Sequence, residues 1–470
     1  MDLLSDPVFD RTRSSDPAAS PTTMPAVDPY LPFGAALDGS SSEAGGLELA
    51  PFRGVRFAPE AVGDLAAVTC PPYDLIDPEE VRRLTAGDGR NVARLTLPTG
   101  EDGYRRAAET LHRWLAEGVL VADPEPALYV YETVAADGAL LRGVLGAVGL
   151  RPESARVVLP HEEVFPGPVR DRLALMTATG ANLEPIFLIY EGPAGVPAGD
   201  GAAPGADPGA VVDRIAETRR PVTEFRADDG TFHRLWRVDD PATQERITTG
   251  LRDRRAMIAD GHHRYATYQA LQERRHAAGD GPGPWDYGLA LLVDWRRHPP
   301  RLGAIHRVLP GLDPREAAER AAKAFTVRET PDLKAGTAAL AEADGPAFLL
   351  GGADGLWLLT APDADLLDQA MPAERSPQWR RLDTAVLDTL LIDRLWEVNA
   401  DERTVEVVHE DPVAALRRAR RRGGTAVIMN PPTVADVLAV AAAGERVPRK
   451  STSFGPKPRT GLVMRLLDLG

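Results

Sequence analysis

Three Asp-Gly pairs, at 137–138, 229–230 and 354–355, each stand between two short apolar runs. Such a pair accepts the positive φ values of a tight hairpin turn, so each predicts two antiparallel strands. The flanking runs are 128–131 with 142–150, 222–225 with 232–238, and 347–350 with 356–359. Helix signals lie between them. Asp77-Pro78 and Asp313-Pro314 each read as an N-cap followed by proline in the first turn. Tyr104, Ala107, Ala108, Leu111 and Leu115 share one helical face within 101–117. A further helix is expected to open at Arg170-Asp171-Arg172, and others are expected over 382–395, 413–422 and 432–443. Strands and helices mix irregularly, which predicts an α+β fold with mixed and antiparallel sheets rather than a doubly wound one.

The chain has 470 residues, enough for two or three domains. Residues 1–46 are rich in Ser, Pro, Ala, Asp and Gly without apolar periodicity and are expected to form a disordered tail. A second Gly/Ala/Pro stretch at 191–210 is expected to be a flexible insertion. They leave an N-terminal α+β region at 47–190, a central region at 211–310 and a C-terminal α+β region at 311–470. No run of about 18 apolar residues occurs, so no membrane partner is expected. The N-terminus lacks the basic and apolar stretches of a secretion signal, and Cys70 is the single cysteine. Both fit a cytoplasmic protein. The net charge of −15 argues against nucleic acid as a partner but leaves room for a small anion in a local pocket.

One more Asp-Gly pair has a different context. The apolar run 256–259 ends in Asp260-Gly261, and His262-His263-Arg264 follow at the start of a helical pattern. That order predicts a strand, a glycine turn and a helix N-terminus crowned by cationic groups. The first turn of a helix has free N–H groups and the positive end of the dipole, so it favours anions. Gly261 lets backbone approach a phosphate oxygen, and Arg264 has the fork geometry to hold one. A plainer reading uses the same residues: Asp260 as an N-cap and the histidines as satisfied polar groups near a core. Adjacent histidines point about 100° apart on a helix, which is not the spacing of a zinc pair.

Three other polar clusters interrupt apolar runs. His161-Glu162-Glu163 follows a strand-like run, and a carboxylate there suits a base toward an alcohol or a ligand to a divalent metal, with a solvated loop as the plainer reading. Tyr73-Asp74 sits on a loop stiffened by Pro71 and Pro72, and Arg170-Asp171-Arg172 lies near His161-Glu162-Glu163. Asp74 and Asp171 are the expected Mg²⁺ ligands. The last cluster, Pro448 to Lys457, carries Lys450, Ser451 and Thr452 in a loop with the chemistry of a phosphate clamp but without Walker spacing. An acyl-transfer triad has no support, since Cys70 stands before prolines with no adjacent base.

These motifs in this order resemble the bacterial and archaeal domain of unknown function 1015 family. The resemblance is carried by Pro51-Phe52-Arg53-Gly54, Pro71-Pro72-Tyr73-Asp74, His161-Glu162, Ala259 to Tyr265, and Lys450-Ser451-Thr452. Ser453 stands where the family pattern has an aromatic residue. The stretch Asp260 to Arg264 is also similar to the nucleotide-binding motif of the ParB/sulfiredoxin superfamily, whose members include free serine kinases. That likeness implies a central strand-turn-helix core that binds nucleotide phosphates. Sulfiredoxin's cysteine is absent, since His262 or His263 stands in its place, which removes that chemistry.

The expected function is therefore a nucleotide-dependent phosphotransferase acting on a small hydroxylated metabolite, with free L-serine converted to O-phosphoserine as the leading case. ATP or ADP with Mg²⁺ is the expected cofactor. Asp260, Gly261, His262, His263, Arg264, Lys450, Ser451 and Thr452 are the expected nucleotide contacts. Glu162, Glu163, His262 and His263 are the expected catalytic groups. Two alternatives stay open from sequence: a non-catalytic nucleotide-binding regulator, and a metal-dependent hydrolase.

Overall fold

All three predicted hairpins are present. Leu128–Val134 pairs antiparallel with Leu140–Gly149, Thr223–Arg226 with Phe232–Val238, and Phe348–Gly351 with Leu356–Thr360. The protein is seen here as a computed structural model that describes residues 45–193, 207–399 and 404–469. The expected tail lies outside the described residues up to 44, and the expected insertion lies outside them over 194–206.

The fold is α+β. Its largest sheet has nine strands and draws them from residues 49 to 294. Eight run across it in the order Val158–Leu159, Ala256–Asp260, Ile186–Tyr190, Tyr287–Asp294, Leu140–Gly149, Leu128–Val134, Phe232–Val238 and Thr223–Arg226; Leu49–Ala50 pairs beside Leu140–Gly149. Pairing is mixed. Ala256–Asp260 is parallel to Val158–Leu159 and antiparallel to Ile186–Tyr190, which is parallel to Tyr287–Asp294. The three adjacent strands Ala256–Asp260, Ile186–Tyr190 and Tyr287–Asp294 are almost wholly buried, which explains their continuous apolar runs.

A six-stranded antiparallel sheet is built from residues 305–429, with its own apolar cluster around Leu349, Leu358 and Ile428. A four-stranded sheet joins distant parts of the chain. Met464–Leu466 lies between Gly54–Phe57 and Ala181–Asn182, with Leu120–Ala122 on the outer side. The end of the chain also pairs Ser453–Gly455 with Arg301–Gly303. No helix among the described residues is long and apolar enough to cross a membrane.

Two helices frame the site. The motif helix, His262–Ala277, follows directly on Ala256–Asp260. Pro166–Thr179 packs beside it and begins four residues before the expected start, because Pro166 occupies the first helical turn. The expected single helix over 382–395 is instead a short α-turn, Asp383–Val386, continued as a π-helix over Leu387–Leu395.

Candidate functional site

The turn that joins strand to helix is made by Gly261 at φ +97°, where an L side chain is strained. A Cβ there would stand 3.0 Å from Arg264 Nε, so the glycine also makes room for the arginine behind it. The helix start has no side-chain cap. Helices beginning after Asp77, Asp240, Asp313 and Asp411 are each capped by that aspartate. Asp260 is not a cap. Its Oδ2 accepts from Arg264 Nη2, and its Oδ1 lies 2.5 Å from Lys457 Nζ.

Arg264 is buried and turned inward. Nη1 donates to the Pro185 carbonyl while Nη2 holds Asp260. The expected two-nitrogen grip on a phosphate therefore finds both terminal nitrogens engaged; the guanidinium braces the turn from behind. Its face lies over Tyr73, whose ring also carries Arg172 at 4.6 Å. Tyr73 N–H donates to the buried carboxyl of Glu184 at 3.1 Å, which also accepts from Thr460 Oγ1 at 2.7 Å. Burial pushes Glu184 above the usual carboxylate range, against the pull of Arg264.

Lys457 ties the proline-stiffened loop to the motif. Its ammonium lies 3.0 Å from Asp74 Oδ2 and 2.5 Å from Asp260 Oδ1, a bridge between two carboxylates. Burial pushes Asp74 up, but Lys457 and Arg264 outweigh it and hold the carboxyl low. Burial pushes Lys457 down, and Asp260 and Asp74 together hold it above the usual lysine value. Asp171 joins other partners, Tyr104 Oη at 2.6 Å and Arg172 at 2.5 Å. Neither expected Mg²⁺ ligand is thus without a cationic partner. Among the described residues, no group of three or more His, Cys, Asp or Glu side chains is placed to hold a metal ion.

The two motif histidines pin the segment 161–165 to the helix. His262 Nε2 accepts the backbone N–H groups of His161 at 3.2 Å and Glu162 at 3.3 Å. His263 Nε2 accepts that of Phe165 at 3.0 Å and stacks on its ring. An imidazole nitrogen that accepts an N–H carries no proton, so both rings are neutral. Burial pushes His262 well below the usual histidine value and lowers His263 as well. The sequence placed these rings in catalysis; the structure shows them as acceptors that fix where Glu162 sits.

Glu162 is drawn inward and Glu163 outward. Glu162 Oε1 lies 2.8 Å from Thr452 Oγ1, whereas Glu163 makes an exposed ion pair with Arg449 at 3.3 Å. A cavity of about 310 Å³ opens beside the motif helix, with Glu162, His262, Tyr265 and Arg446 in its wall. Of the last cluster, Lys450 is exposed at φ +55°. Ser451 is buried, its hydroxyl turned to the Pro448 carbonyl at 2.6 Å. Cys70 is buried, and burial pushes its thiol far up, so it is no nucleophile.

Asp74, Glu162, Asp260, His262, His263 and Thr452 therefore meet, while Asp171 and Ser451 face other partners. Sequence reading missed the roles of Lys457 and Glu184. Lys457 ends a cluster singled out for other residues, and a lone acidic residue before a buried strand was the signal for Glu184.

A family model described as protein of unknown function (DUF1015) matches residues 49–385. The chain belongs to the DUF1015 family. The family match stops before Thr452 and Lys457, so the site includes residues outside it. No curated protein matches the sequence of this DUF1015 member. Among solved structures, a free serine kinase in complex with AMP is 16% identical, with a TM-score of 0.33, and the match covers 67% of this chain and 90% of that one. A conserved hypothetical protein from Pyrococcus furiosus is 18% identical at a TM-score of 0.31, covering 67% of this chain and 94% of that one. SbnI with a C-terminal truncation, from Staphylococcus aureus, is 13% identical at 0.33, covering 68% and 85%.

Proposed function

We propose that this protein is a cytoplasmic nucleotide-dependent phosphotransferase whose acceptor is a small hydroxylated metabolite, free L-serine first among them. The observation that carries the reading is the convergence, at one uncapped helix start, of a carboxyl group beside a cavity and a lysine-rich loop. The phosphates of ATP or ADP rest against the free first-turn amides of the motif helix and Gly261. Arg264 and Lys457 balance the charges of Asp260 and Asp74. What remains to attract phosphate is the helix dipole together with exposed Lys450. Mg²⁺ arrives with the nucleotide phosphates rather than in a cage of protein ligands.

The acceptor occupies the cavity beside Glu162. Its hydroxyl oxygen forms the new bond to phosphorus as the bond from phosphorus to the departing phosphate breaks, and its proton passes to the Glu162 carboxylate. His262 and His263 contribute by holding the 161–165 segment, and Arg264 by holding the glycine turn. Phosphoryl transfer needs mainly positioning and charge balance, which this set supplies.

Incubation of the full chain with ATP or ADP, Mg²⁺ and L-serine is expected to give O-phosphoserine by ³¹P NMR. Glu162→Gln is expected to slow formation by about 10²-fold or more. Nucleotide-dependent thermal stabilisation with no product across a panel of hydroxy amino acids would instead mark a binding protein without turnover.

A further inference from the structure

His161 is fully buried and hydrogen-bonded at both ring nitrogens. Nδ1 lies 2.7 Å from the Ile258 carbonyl, beside a register shift in the motif strand. A carbonyl only accepts, so Nδ1 carries a proton. Nε2 lies 2.8 Å from Thr452 Oγ1, and the same hydroxyl lies 2.8 Å from Glu162 Oε1. Thr452 has one proton to give and two neighbours that would take it. With a neutral imidazole and an ionised carboxylate, one of the two goes without a donor. The chain of contacts is complete only when it holds one more proton, on the carboxyl or on the ring.

We propose that Thr452 is a positioning residue whose shared hydroxyl, anchored on His161, makes the Glu162 carboxyl hold its proton to higher pH than an ordinary glutamate. The order of donation is Glu162 to Thr452, Thr452 to His161 Nε2, and His161 Nδ1 to Ile258. Burial decides which group holds the proton. His161 is enclosed by His262 and Phe454, and burial pushes its imidazole down to about 4, so a ring cation is disfavoured. Burial pushes Glu162 the other way, above the usual carboxylate range, with Thr452, Lys450, Lys457 and His263 pulling against it. Ionising Glu162 draws the Thr452 hydroxyl toward the carboxylate and leaves buried Nε2 without a donor. Only the statement about turnover rests on the phosphotransferase reading: Glu162 works as a base once it has lost this proton, so activity rises with pH through its titration.

The test uses full-length protein labelled with ¹³C at glutamate side chains and ¹⁵N at histidines, with Glu162 assigned by its loss in Glu162→Gln. At neutral pH, His161 is expected as the Nδ1–H tautomer with a bare Nε2. The Glu162 titration is expected above the ordinary value of about 4.3. His161→Phe keeps the ring but gives the Thr452 hydroxyl to the carboxylate alone. It is expected to lower the Glu162 midpoint by about one unit, tenfold in the ionisation constant. Thr452→Ser preserves that effect of His161→Phe, and Thr452→Val abolishes it, because the coupling passes through the hydroxyl. A His161 imidazolium or Nε2–H tautomer in the wild-type protein, an ordinary Glu162 midpoint, or an effect of His161→Phe that survives Thr452→Val would overturn the proposal. These readouts need no turnover, so they separate failure of the relay from failure of the phosphotransferase reading. If product forms, the acid limb of its pH profile is expected to move with the Glu162 midpoint.

Discussion

Arg264 and Lys457 each hold one oxygen of the Asp260 carboxylate, the first from the motif helix that follows it and the second from far along the chain. Removing either partner of a largely buried pair strands a charge that little water can solvate. Arg264→Met is expected to lower the unfolding free energy by roughly 3–5 kcal/mol, read by urea denaturation. A loss below about 1 kcal/mol would place the guanidinium outside the fold's support and return it to the ligand. The bridge also fixes a pH dependence. Asp74 is held low, so its stabilisation is complete above the ordinary value of about 3.9 and is lost as pH falls through the lower folded value. Lys457 is held high, so its part is complete below the ordinary value of about 10.4 and is lost as pH rises through the higher folded value. Lys457→Gln is expected to lose most stability between these limits and least at acid pH, where the wild-type bridge has already been protonated away. Thermal melts across pH check this, and equal losses at every pH would contradict it.

Among the elements, the strand, glycine turn and helix at 256–277 follow from local signals alone, as do the three hairpins and the aspartate-proline caps. Those signals are short-range, and the backbone obeys them. Side-chain direction at the same turn was not legible. Asp260 stands where a capping residue would, yet its oxygens go to Arg264 and Lys457, and nothing within a few residues announces a partner so far along the chain. The π-helix at 387–395 also has no glycine or proline to mark it. Gly261→Ala is expected to cost about 1–2 kcal/mol from the left-handed backbone alone, and more through displacement of Arg264. Asp313→Ala removes a cap remote from the site and is expected to cost about 1 kcal/mol while leaving nucleotide-induced stabilisation unchanged. Calorimetric melts with and without ADP distinguish the two.

At the scale of the whole molecule, the site is closed by the segment from Val447 to Leu466. It supplies Thr452 and Lys457, pairs one strand with Arg301–Gly303, and inserts Met464–Leu466 between Gly54–Phe57 and Ala181–Asn182. That the four polar clusters meet could not be read from their order, because spacing along a chain does not report closure of a sheet by its last strand. A protein cut after Val447 is expected to lose the apolar packing around Phe57 and Met464 and to become protease-sensitive through residues 54–122. Retention of the wild-type melting temperature would contradict this. The placement of Lys457 also has a consequence during synthesis. A ribosome has assembled every residue of the cavity wall before it reaches Lys457, and until then the nascent polypeptide lacks the lysine that clasps the glycine corner. A product terminated before residue 457 would therefore carry the motif without its clasp.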